Sequence, residues 1–140
     1  MVGETITFSQ YGVRLISVVY VALGLLGFLP FEALNPTHHN EIDARYLLHL
    51  VAINAPHNIF HLAIGVSGLW AARTTVGAHR WAIVVGVVLL ALFFGGMLQA
   101  ALQGFPSEQL LLGLIPLNSP GHVLHAVTGG IALYLGMTRS

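Results

Sequence analysis

Histidine carries most of the chemical capacity of this chain, which holds eight His but neither Cys nor Lys. Four of the eight, His57, His61, His122 and His125, fall inside apolar runs. An ionisable side chain within such a run is expensive to bury and by default marks a site. Two of them recur in one pattern, Asn-x-Pro-x-x-x-x-His-x-x-x-Gly. It is met first as Asn54, Pro56, His61 and Gly65, then as Asn118, Pro120, His125 and Gly129. The Asn suits a helix N-cap, where its side chain accepts a first-turn amide. The Pro suits the first turn, where a missing N–H does no harm. Each His then lies about 10 Å into its helix at 1.5 Å per residue. Each Gly stands one turn deeper on the same face.

That constellation suits tetrapyrrole chemistry. His61 and His125 can take the two axial positions of one haem b iron, or each can bind the magnesium of its own chlorophyll. Gly65 and Gly129 would leave a slot beside the imidazoles. The bland alternative is structural: the histidines hydrogen-bond across a bundle and the glycines let helices approach. A four-His metal site is a further option, because His57 stands at i,i+4 from His61 and His122 at i,i+3 from His125. Those two pairs do not occupy matching positions of the pattern. His49 and His79 read as solvated.

The elements that must hold these residues are apolar. The chain is 56% hydrophobic and 7% charged, far below the roughly 25% charge of a soluble domain. Four runs lack Asp, Glu, Lys and Arg: 15–31, 54–72, 81–103 and 109–137. In the last, Pro116 and Pro120 place the start of the span near Pro120. Each run has about the length a bilayer crossing needs, and in hydrocarbon each must be helical. Residues 47–65 and 111–129 align without a gap at one offset of 64, which separates Asn54 from Asn118 and His61 from His125. A weaker match relates the first and third runs. The expected fold is an all-α membrane protein of four transmembrane helices, as two tandem two-helix repeats. It forms one domain over residues 1–140, with repeat one at about 11–73 and repeat two at about 78–138. Such repeats imply a pseudo-twofold axis along the membrane normal.

Arg14, Arg73, Arg80 and Arg139 fall on one side of four spans, and only Arg45 on the other, with Glu32, Glu41, Asp43 and Glu108. The positive-inside rule then puts both termini in the cytoplasm of a bacterial inner or thylakoid-type membrane. The first run lacks the flanks of a cleaved signal peptide. In the first outer loop, Glu41 and Arg45 stand at i,i+4. Residues 41–53 are therefore expected as a short helix in the membrane interface.

At NIFHLAIGVSGL and LNSPGHVLHAVTGG the chain resembles a family of small bacterial four-span membrane proteins, domain of unknown function 4383. Asn58, His61 and Gly65 match that family's Asn-x-x-His-x-x-x-Gly segment. Leu117 and His125 match its Leu-x-x-x-Asp-Asn-x-x-His segment, with Gly121 and His122 in place of the Asp and Asn. The resemblance implies the fold and no activity. The sequence points to a small integral membrane subunit or accessory protein that holds a tetrapyrrole through His61 and His125. It would work within a larger membrane complex or a homo-oligomer. The alternatives are a cofactor-free structural or assembly protein and, third, a small transporter. No nucleophile–base–acid set is visible, so no catalytic residue is assigned and enzymatic activity is disfavoured. The zero net charge gives no ground for nucleic-acid binding.

Overall fold

A computed structural model describes residues 5–30, 44–104 and 109–138 of the chain. The expectations that fall on Glu32, Glu41, Asp43, Glu108 and Arg139 lie outside the described residues. Four α-helices dominate: α1 (Phe8–Gly27), α2 (Ala55–Ala71), α3 (Thr75–Gln103) and α4 (Ser119–Met137). Two of them, α1 and α3, are long and apolar enough to cross a membrane.

Side chains set the helix starts. Thr7 and Gln10 form a capping box at α1, and Thr74 caps α3 through the Gly77 amide. Asn54 and Asn118 cap α2 and α4, each with a proline in the first turn, as their spacing predicts. Both Asn residues are extended, with φ of −147° and −135°, the geometry an N-cap requires.

The segment leading into α2 is not helical. Residues β1 (Arg45–Leu47) and β2 (Val51–Ile53) pair antiparallel, with Tyr46 opposite Ala52. This corrects the expected interfacial helix over 41–53 for the part of it that is described. The chain reverses at Leu48 and His49, with φ of 52° and 61°, a left-handed conformation no helix accepts. Tyr46, Val51 and Ile53 favour strands, and cross-strand bonds satisfy the backbone. A second hairpin, β3 (Gln109–Leu111) with β4 (Ile115–Leu117), leads into α4. Its turn is left-handed at Leu112 and Gly113, the positions 64 residues on from Leu48 and His49.

The two hairpins are tied together by the capping asparagines. Asn54 donates from Nδ2 to the Leu114 carbonyl at 2.8 Å. Asn118 donates from Nδ2 to the Leu50 carbonyl at 2.7 Å, and its Oδ1 also accepts from the Ala52 amide at 3.3 Å. Each cap thus reaches from its own helix to the turn of the other hairpin.

Helix α1 packs mainly on α2, and α3 mainly on α4. Small residues allow it: a Cβ on Gly65 would stand 2.7 Å from the Ser17 carbonyl oxygen, and one on Gly86 2.7 Å from the Leu133 amide nitrogen. At the end away from the hairpins, Ser9 Oγ donates to the Leu135 carbonyl and meets His79 Nε2 at 2.9 Å. His79, expected to be solvated, is therefore an interhelical link. Arg14 and Arg73 line one cavity at this end, whereas Arg45 lies at the hairpin end and donates to the Leu29 carbonyl.

Replacing Asn118 with Ala removes a helix cap, worth about 1 kcal/mol, together with two bonds to the first hairpin. The expected loss is about 2 kcal/mol, read from denaturant unfolding of the full chain in detergent. Asn118→Asp keeps the capping acceptor, loses the donor to Leu50, and should fall between the two.

A buried histidine cluster as candidate functional site

Asn54 sets the first turn of α2 by accepting from the His57 amide at 2.9 Å. His57 therefore lies at the mouth of the helix, and His61 follows one turn later on the same face. Their ring centroids are 4.4 Å apart. From α4, His125 comes within 5.9 Å of His57, centroid to centroid, across the centre. His57 and His61 are 0% exposed and His125 is 1% exposed. One ligand nitrogen from each of the three lies within 4.8 Å of those from the other two.

The protonation of His57 follows from its partner. Its Nδ1 stands 3.1 Å from the Ala52 carbonyl oxygen. A carbonyl can only accept, so Nδ1 carries the proton and Nε2 keeps a lone pair. A metal-bound histidine is ordinarily fixed in this way, by its second nitrogen donating to a backbone carbonyl. Among the described residues, His57 Nε2 and both ring nitrogens of His61 and His125 have no hydrogen-bond partner. A buried polar group left unpaired costs about 1–3 kcal/mol, and one such nitrogen from each of the three rings could be satisfied by a single bound ion. Tyr20 of α1 closes one side, edge-on to His61 at 5.2 Å. Its hydroxyl is engaged by Thr128 at 2.7 Å.

Of the residues singled out in the sequence, His61 and His125 do meet across the core. Gly65 and Gly129 are buried, but the space beside them is filled. A Cβ on Gly65 would strike Val21 at 2.6 Å, and one on Gly129 would come within 3.1 Å of Leu89 and Leu90. These glycines admit the neighbouring helix rather than leaving a slot for a macrocycle. Asn58, on the family motif, is buried with Oδ1 unpartnered among the described residues. His122 stands apart, packed on Gly96 and facing Phe93 at 6.3 Å.

The residue undervalued by sequence reasoning is His57. It sits one helical turn before His61, which is the signal for a shared face. Its position 64 residues on is Gly121, and this mismatch argued against it. The structure makes it the third member of the cluster.

Overpacking separates the glycines from the cluster. Gly129→Val should destabilise the chain by about 1–3 kcal/mol. Gly130→Val is the control, because a Cβ there meets nothing within 4 Å. Thermal unfolding of the two variants in detergent checks the difference.

No curated protein and no solved structure matches this chain. A family model does match, over nearly the whole length. By that match to residues 10–138, the chain belongs to the family described as domain of unknown function (DUF4383).

Proposed function

We propose that this protein spans the bilayer four times, as two tandem two-helix units, and holds one transition-metal ion at the centre through His57, His61 and His125. The observation that carries the reading is the convergence of three fully buried imidazoles whose inward nitrogens have no hydrogen-bond partner among the described residues. Imidazole suits zinc, copper, iron and nickel. A single ion is favoured over the tetrapyrrole suggested by His61 and His125 alone. A third histidine joins the pair, and helices occupy the space beside Gly65 and Gly129.

The arrangement of polarity supports four spans. The shorter helices α2 and α4 turn Ile59, Val66, Trp70, Val123, Val127 and Tyr134 outward, while histidines, Asn58 and Ser17 lie inside. Such an outer surface is suited to lipid rather than water. The cross-bonds between Asn54 and Leu114 and between Asn118 and Leu50 support the tandem units, because their ends are related by the same offset of 64. Arg14 and Arg73 at one end suit a cytoplasmic face for the termini.

Elemental analysis of the full chain purified in mild detergent tests the centre. About one metal ion per chain is expected, falling at least tenfold in His61→Ala and in His125→Ala and unchanged in His122→Ala. A Soret band that disappears in both His61→Ala and His125→Ala would restore the tetrapyrrole reading. Absence of metal and pigment alike would leave the structural alternative.

Topology has its own check. The chain lacks Cys, so single cysteines report cleanly. Leu112→Cys, at a hairpin tip that is 90% exposed, should react in whole cells with an impermeant maleimide. Val76→Cys, beside the α2–α3 turn, should react only after lysis. The reverse pattern overturns the orientation.

A further inference from the structure

Resting on the reading that the histidine cluster is a metal centre, we infer that the ion it takes is monovalent copper. Two features of the cluster argue for a low charge. The donor set is three imidazoles, neutral when they coordinate, and among the described residues no carboxylate or thiolate joins it. The helices α1, α2 and α4 around it contain no Asp or Glu, so they supply no countercharge to a bound cation. The cost of burying an ion grows with the square of that charge, so a divalent ion costs about four times as much as a monovalent one of similar size.

The position of the cluster works in the same direction. His57 lies in the first turn of α2, and His125 in the second turn of α4. Helix N-termini carry partial positive charge, and two of them near one point penalise a second positive charge on the ion.

Zinc on three histidines ordinarily keeps a fourth position for water or another ligand. Here the histidines are at most 1% exposed. The hydroxyl of Tyr20, the aromatic ring edge-on to His61, is engaged by Thr128. Cuprous ion, which carries half the charge of zinc, is content with two or three nitrogen donors and no solvent ligand. A trigonal set at a metal–nitrogen distance of about 2.0 Å spaces the nitrogens about 3.5 Å apart. The observed limit of 4.8 Å requires only a small inward rotation of the rings. His57 is already oriented by the Ala52 carbonyl with Nε2 unprotonated.

The test is competitive titration of the full chain in detergent, without oxygen and with ascorbate. A chromogenic cuprous chelator competes in one series and a fluorescent zinc chelator in the other. One equivalent of cuprous ion should bind at least a hundredfold more tightly than zinc. His57→Ala, His61→Ala and His125→Ala should each weaken cuprous binding at least tenfold, and His122→Ala should not. X-ray absorption of the copper-loaded wild-type chain gives a result independent of any variant's folding. A cuprous edge with two or three nitrogen scatterers at about 2.0 Å is expected. Sulfur scatterers would assign the copper to methionine and overturn the inference. Zinc binding that is equal or tighter, and lost in the same His variants, would overturn cuprous selectivity while leaving the metal centre standing. Binding of neither ion would overturn the cuprous assignment, and the metal centre itself then stands or falls on the elemental analysis.

Discussion

Two asparagine side chains hold the centre of this protein in register. Asn54 and Asn118 each end an extended segment, cap a helix and bond the turn of the opposite hairpin. A cap alone fixes where a helix begins. A cap that also reaches across the molecule fixes where that beginning lies relative to the other one. The first turns of α2 and α4 are therefore held side by side. Because His57, His61 and His125 stand at set distances from those caps, the same bonds bring their rings together.

The polarity of the bundle runs against that of a water-soluble protein. Its outer faces are rich in Val, Leu and Ile, while imidazoles, an amide and hydroxyls are buried. Most of these buried hydroxyls are paired: Ser9 with Leu135, Ser17 with Val13, and Tyr20 with Thr128. Among the described residues the buried side-chain atoms left without a partner are ring nitrogens of His57, His61, His122 and His125 and the Oδ1 of Asn58. Unpaired buried polar groups destabilise a fold, and a cluster of them is the arrangement expected of a binding centre rather than of a packing core.

Close helix approach is the second constraint. Gly24 and Gly65 seat α1 against α2, and Gly86 and Gly129 seat α3 against α4. Where an aliphatic surface meets lipid there is little hydrophobic drive for helices to associate, so tight backbone contact and interhelical hydrogen bonds carry more of the packing. The Ser9, His79 and Thr138 contacts at the far end and the asparagine contacts at the hairpin end fasten each helix pair to the other.

The sequence by itself determined the four helical segments, the caps of α2 and α4, and the family. Apolar runs, Asn-x-Pro starts and glycines one turn below the histidines are local features, and local geometry obeys them. It also determined that His61 and His125 lie at equal depth, since both are counted from a cap. Three things were left to the tertiary structure. The segment before α2 forms a hairpin, because a left-handed turn at Leu48 and His49 is stable only when its flanking strands pair. Gly65 and Gly129 face helices rather than a cavity, because what fills the space beside a glycine is set by another element. His57 joins the centre although its counterpart by offset is Gly121. Helical spacing puts it on one face with His61, but only the packing of α2 against α4 decides that this face looks inward at His125.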